Sequence, residues 1–164
     1  MGGGRIFAVS DLDVDKEYSH DGKWGGEVKI QLIKTLTIKS KLDVERVLNY
    51  IVKREDPELW LKEHAWGIGL DDTGEQVVYV DLISLGTLNY NLVHPREVFK
   101  PAIVAGCNKI IFAHNHPSGN GEASPEDIGL NKRLKACGEL LGIELVNAVI
   151  LAGGKAVHLF GGRR

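Results

Sequence analysis

The run KIIFAHNHPSGNGEASPEDIGLNKRLKACGELLGIELVNAVILAGG, residues 109–154, holds the transitions that decide the fold. Lys109 to Ala113 is a short apolar segment that reads as a buried strand. It delivers the chain to two histidines, His114 and His116, one residue apart. From Ser124 the pattern becomes helical: Ser124 suits the cap and Pro125 the first helical position. Leu130, Leu134, Cys137 and Leu141 then form one stripe, and Gly142 closes it. The stretch IELVNAVILAGG and the AVHLFG that follows read as two further strands.

Working outward, HPREVFKPAIVAG (94–106) reads as a helix with Pro95 in its first turn and Gly106 just past its end. Pro101 inside it removes a hydrogen bond and predicts a kink or a short first segment. EHAWGIGLDDTGEQVVYVDLISLG (63–86) reads as two strands, Ala65 to Leu70 and Gln76 to Ser84, around the turn DDTG. In SKLDVERVLNYIVKRED (40–56), Val44, Val47, Leu48 and Ile51 mark the buried stripe of a helix. Ser40 and Asp43 suit its N-terminus, and Pro57 helps stop it. EVKIQLIKTLTI, from Glu27, alternates Val28, Ile30 and Leu32 as a strand does. Residues 1–26 are Gly-rich and acidic and suggest no firm element, so the expected organisation is an N-terminal segment, 1–26, and one domain, 27–164. The predicted class is α/β (α+β), a single domain whose mixed β-sheet is flanked by helices.

Composition narrows the function. The 164 residues are 43% hydrophobic and 26% charged, usage typical of a globular domain. Twenty basic residues against 22 acidic ones give a net charge of −2, which speaks against non-specific nucleic-acid binding. No apolar run approaches the ~18–20 residues of a membrane span, and the N-terminus lacks the order of a signal peptide. Cys107 and Cys137 read as reduced core thiols. Together these features predict a cytoplasmic protein with no membrane association.

His114 and His116 follow a strand, so alternation points both imidazoles to one side. That pitch suits two ligands of one divalent cation, with a carboxylate as third donor. Asp127 is the candidate, at the third helical position. It has a second reading, as the acid of a capping box with Ser124. On a helical wheel, at ~100° per residue, Asp127 falls near the apolar stripe, where a carboxylate needs a partner. Capping and ligation compete for its oxygens, though each could use one. Three protein ligands would leave zinc a fourth position for water, whose pKa the metal lowers to ~7. Glu63 is the candidate general base, although from spacing alone the reading as a solvated acid at a strand end wins.

HNHPSGNGEASPED resembles the JAMM metalloprotease signature. The longer run from GTLNYNLVHPREVF to LLGIEL is similar to the RadC branch of the JAB/MPN family, the likeness covering about residues 40–152. The resemblance implies a JAB/MPN-like domain with a cytidine-deaminase-like layer arrangement. It implies zinc held by His114, His116 and Asp127, and Glu63 as the residue that shuttles the proton of the water. Asp81 is a rival placement for the acid, less close in context. Ser124 falls where the family's hydroxyl steadies the oxyanion. Asn147-Ala148 stands where the family often has Asp-His, and the chain has no room for the helix-hairpin-helix region common ahead of this domain, so no DNA binding is expected from one.

The expected function is a zinc-dependent metallohydrolase cleaving peptide or isopeptide bonds in a peptide or protein substrate. One alternative is a non-catalytic binding module, its zinc structural, serving DNA-repair or mobile-element partners; another is a metallonuclease. His64 and His158 read as structural, His94 as a cap or a lining residue, and Arg96 and Glu97 as surface contacts. Trp24, Trp60 and Trp66 read as core or interface anchors. Neither the substrate nor an oligomeric state can be read from these residues.

Overall fold

The computed structural model describes residues 14–22, 26–33, 36–53, 61–86 and 93–161. Trp24, Trp60, the segment 87–92 and the final Gly-Arg-Arg lie outside them. Strands β1 (Val14–Gly22) and β2 (Gly26–Ile33) pair antiparallel as a hairpin. The strand expected from Glu27 is β2; its partner β1 was not anticipated. VDKEYSHDG has no apolar alternation, and backbone pairing of a polar strand leaves no trace in hydrophobic periodicity.

Helix α1 (Lys41–Lys53) starts as expected, with a capping box. Asp43 N–H donates to Ser40 Oγ at 3.3 Å, and Ser40 N–H donates to Asp43 Oδ2 at 2.9 Å. Its stripe of Val44, Val47, Leu48 and Ile51 is buried. Strands β3 (His64–Leu70) and β4 (Val77–Leu85) form the antiparallel hairpin around DDTG. Asp71 Oδ1 accepts from Gln76 N–H at 3.1 Å across that turn, and Gly74 takes the left-handed conformation that closes it.

Helix α2 (Pro95–Ala105) runs through Pro101 as one element, so the proline ends nothing. His94 is its N-cap: the ring accepts from Arg96 N–H at 3.2 Å. Gly106, left-handed, closes it. Strand β5 (Lys109–His116), helix α3 (Pro125–Leu141), strand β6 (Glu144–Ala152) and strand β7 (Lys155–Gly161) complete the chain.

The five strands from β3 onward form one mixed sheet in the order β4–β3–β5–β6–β7. Only the β5–β6 pair is parallel, with α3 as its crossover. Each face carries its own core. On one, Ile111 and Ala113 of β5 pack with Trp66, Ile68, Val149 and the α1 stripe. On the other, Ile110 and Phe112 pack with Phe99 of α2 and Leu134 of α3. The chain is therefore an α/β domain with helices on both faces of its sheet.

The stripe read on α3 is partly wrong. Leu134 is fully buried and Leu130 and Cys137 partly so, but Leu141 is 50% exposed. The inward positions are Asn131, Leu134 and Gly138. A Cβ at Gly138 would run into the carbonyl of Ile143, so a small residue lets the helix end sit close to β6. Asp127 stands four residues before Asn131, on that same inward line.

Candidate metal centre

β5 carries both histidines at its C-terminal end. His114 pairs with Ala65 of β3 on one side and Ile150 of β6 on the other, so its backbone is held by both neighbours. Alternation sends His114 and His116 to the face of Phe112 and α3. The His114 ring lies 5.9 Å from that of Phe112 and 5.0 Å from that of His116. After His116 the chain reverses: Gly119 N–H donates to His116 O at 3.0 Å, and Gly119 has φ +77, which glycine adopts without strain. The loop then feeds Ser124 and the first turn of α3 back toward the histidines.

Three donor atoms converge there. His114 Nε2 lies 3.1 Å from His116 Nε2 and 3.1 Å from Asp127 Oδ1, and His116 Nε2 lies 3.4 Å from Asp127 Oδ2. Around a tetrahedral zinc with bonds of ~2.0–2.1 Å, neighbouring donors stand ~3.3–3.4 Å apart. The two separations from His114 Nε2 come within a few tenths of an ångström of that edge, and one ligand atom from each residue lies within 4.8 Å of the others. Among the described residues, these are the three that could hold a metal ion together.

Protonation fits the same reading. His116 Nδ1 lies 2.7 Å from the Asn120 carbonyl, which can only accept, so Nδ1 carries the hydrogen. Neutral His116 therefore presents a lone pair at Nε2, the orientation that hydrogen bonding behind a ligand usually fixes. Three lone-pair donors this close repel unless a proton or a cation lies between them. A metal bound there would take the place of such a proton.

Asp127 keeps Oδ1 outside the cap, while Oδ2 is shared between the cap and His116, 3.4 Å away. Oδ2 accepts from Ser124 N–H at 2.8 Å and from the Ser124 hydroxyl at 2.6 Å, while Asp127 N–H donates to Ser124 Oγ at 3.1 Å. Oδ1 faces His114. Burial alone would raise this carboxyl, but hydrogen bonds from His114 and Ser124 outweigh it and hold the group well below the usual carboxylate range. An acid kept ionised suits a ligand. The single proton of the Ser124 hydroxyl is directed at Asp127, so donating to an oxyanion requires that hydroxyl to turn.

Glu63 lies just ahead of β3, half-buried. Burial lifts its carboxyl above the ordinary value, His114 and His116 pull it down, and Asp127 pushes it up. The same three residues thus act on Glu63 electrostatically, although they are distant in sequence. Asp81 behaves differently. It stands on β4 opposite Gly67, and burial pushes its carboxyl up to about 6, with Glu97 raising and Lys100 lowering it. Its charged neighbours belong to α2, so between the two acids it is Glu63 that shares the field of the cluster.

Two contributors escaped the sequence reading. Asn120 acts through its backbone carbonyl, which no residue type reveals. Asn115 alternates away from the ligands and reads as a filler between them. Other histidines are structural: His64 is buried and stacked on Trp66 at 5.4 Å, and His158 lies 2.8 Å from Asn147 Nδ2. The substituted pair Asn147-Ala148 takes no part in the cluster.

Comparison with known proteins adds the lineage. The profile of the RadC-like JAB domain family matches residues 38–162. The chain belongs to that family. Curated relatives of this RadC-like domain include a UPF0758 protein of Geobacillus kaustophilus, 44% identical over 105 residues, which are 64% of this chain and 46% of the relative. A UPF0758 protein of Clostridium tetani is 42% identical over 100 residues, 61% of this chain and 44% of the relative. One from Alkaliphilus metalliredigens is 42% identical over 114 residues, covering 70% and 47%. The chain spans about half the length of the curated relatives it matches. The matched region runs from just before α1 through β7, so both halves of the candidate centre lie inside it. No helix among the described residues is long and apolar enough to cross a membrane.

Proposed function

We propose that this RadC-like domain is a zinc-dependent hydrolase of peptide or isopeptide bonds, with His114, His116 and Asp127 holding the metal and Glu63 acting as the base. The observation that carries the reading is the convergence of three donor residues, their ligand atoms within 4.8 Å of one another, within the electrostatic reach of the raised Glu63 carboxyl. A zinc ion bound there supplies Lewis acidity, polarising a carbonyl and acidifying a water.

The chain's own residues do the rest. Glu63 takes a proton from the attacking water and returns it to the leaving nitrogen, a task suited to a carboxyl whose pKa is lifted toward working pH. Asp127 stays ionised and holds its position through the Ser124 cap. Ser124 turns its hydroxyl from Asp127 toward the developing oxyanion, which needs a donor as charge builds. His116, braced by Asn120, keeps the tautomer that leaves Nε2 free.

The test uses the full chain with zinc restored. One equivalent of zinc should bind, and hydrolysis of peptide or isopeptide substrates should vanish with a chelator and return with the metal. Glu63→Gln should keep the zinc and lose activity by at least about a hundredfold. A Glu63→Gln variant as active as the parent would end this assignment.

A further inference from the structure

Asn115 stands between the two histidines, and its side chain points to the opposite face of β5. It is 92% buried by the sheet and by the segment ahead of β3, being 8% exposed. Its amide makes two hydrogen bonds to that segment. Oδ1 accepts from His64 N–H at 2.6 Å, and Nδ2 donates to Lys62 O at 3.2 Å. These two partners flank Glu63: the Lys62 carbonyl belongs to the peptide before its Cα, and the His64 N–H to the peptide after it.

Backbone pairing between β3 and β5 stops at Ala65 and His114. One step further, the Asn115 side chain supplies one donor and one acceptor to the segment, as a neighbouring strand's backbone would. Glu63 has a third restraint from the residue just past β4, because Gly86 N–H donates to Glu63 O at 2.8 Å. With both adjoining peptide planes held, the two soft dihedrals of Glu63 are held as well. Its Cβ then projects to the face of Ala65 and His114, by the alternation that sends His64 the other way.

We infer that Asn115 is a positioning residue for Glu63: its buried amide clamps the peptides on either side of that glutamate and thereby aims the carboxyl at the metal centre. The inference rests on the reading of Glu63 as the base. It gives the residue between the ligands a task opposite to theirs. His114 and His116 face the ion, and Asn115 reaches behind the strand to bring in the acid.

The amide chemistry is specific. Aspartate at 115 would keep the acceptor for His64 N–H and lose the donor to Lys62 O; alanine would lose both. Lys62 O keeps its contact with His64 Nδ1 at 2.9 Å in both variants, so the aspartate change loosens the clamp on one side only, and neither variant touches a ligand atom.

The experiment compares the full-length parent, Asn115→Ala and Asn115→Asp, each with one equivalent of zinc. In the parent, the carboxyl carbon resonance of Glu63, assigned by its loss in Glu63→Gln, should shift on adding zinc. In Asn115→Ala that shift should fall by at least about half, while zinc affinity stays within about threefold of the parent. Hydrogen exchange at the His64 amide should accelerate at least about tenfold, with Trp66 and Gly67 unchanged. In the hydrolytic assay, kcat should drop about 10–100-fold with KM little altered, and the loss should disappear in a Glu63→Gln background. Should Asn115→Ala not fold, Asn115→Asp should retain His64 protection yet show a reduced Glu63 response.

A full zinc response of Glu63 in these variants would overturn the inference. So would a loss of zinc as large as the loss of kcat, which would make Asn115 a support for the ligands. If the parent shows the zinc response and the variants lose it while no substrate is ever cleaved, the positioning role stands and the hydrolase reading falls.

Discussion

A carboxylate that both caps a helix and faces two imidazoles has to share its oxygens, and Asp127 makes that sharing measurable. Its Oδ2 serves the Ser124 cap and lies 3.4 Å from His116, and its Oδ1 faces His114. Asp127→Asn can keep an acceptor for the cap but loses the negative charge that a divalent ion needs. Zinc affinity should fall by at least about a hundredfold, and the metal-free protein should lose stability as well, because the ionised carboxyl is the form that His114 and Ser124 hold. Ser124→Ala weighs less on the metal. It removes the cap at a cost of about 1 kcal/mol and releases Asp127 to other rotamers, weakening zinc by about tenfold. Titration against a chelating dye, alongside thermal melts without metal, separates the two. If Asp127→Asn bound zinc as tightly as the parent, the carboxylate would be a cap alone.

At the scale of elements, β4 holds an acid that is useful for a different reason. Asp81 is pushed up to about 6, chiefly by burial against α2 with Glu97 nearby. An unfolded aspartate titrates near ~3.9. The folded chain therefore binds this proton more tightly, and the stability this contributes is fully present below pH ~4 and lost as pH rises through about 6. The loss is at most about 3 kcal/mol. Asp81→Asn resembles the protonated form at every pH. Denaturant melts should find it equal to the parent near pH 4 and more stable by about 1–3 kcal/mol at pH 8. Equal stability at pH 8 would mean that the buried acid is better compensated than Lys100 alone allows. The elements themselves were largely legible, because α1 and the β3–β4 hairpin declare themselves by period and by cap. Val44, Val47, Leu48 and Ile51 are buried as a wheel demands. The convergence of His114 and His116 was legible too, since alternate residues of a strand share a face. What escaped detection lacks such a signal: polar β1 pairs through its backbone, and Asn120 contributes a carbonyl. On α3 a leucine pattern misled, because Gly138 and Asn131 pack inward where the sheet comes close, leaving Leu141 50% exposed. Asp81 had the residue type and neighbourhood of a site acid; only the register of β4 shows that it faces α2.

For the molecule as a whole, the centre brings together the end of β5, the first turn of α3 and, through Glu63, the entry to β3. An ion that binds the folded chain and not the unfolded one stabilises it by mass action, about 2.7 kcal/mol at a free concentration one hundred times its dissociation constant. For a domain of this size, that corresponds to a rise in Tm of roughly 5–15 °C. The rise should be specific to a borderline-soft ion, because two imidazoles and one carboxylate suit zinc, whereas magnesium prefers an octahedron of oxygens. Scanning calorimetry of the chelated protein with each ion in turn should give the shift for zinc and none for magnesium. His114→Ala should abolish the zinc shift, because it removes the donor closest to both of the others. Glu63→Gln should preserve it, because Glu63 is not among the three residues whose donor atoms lie together. A zinc shift that survived His114→Ala would place the ion elsewhere on the chain, and one abolished by Glu63→Gln would make Glu63 a fourth ligand, closing the position that hydrolysis requires to be open.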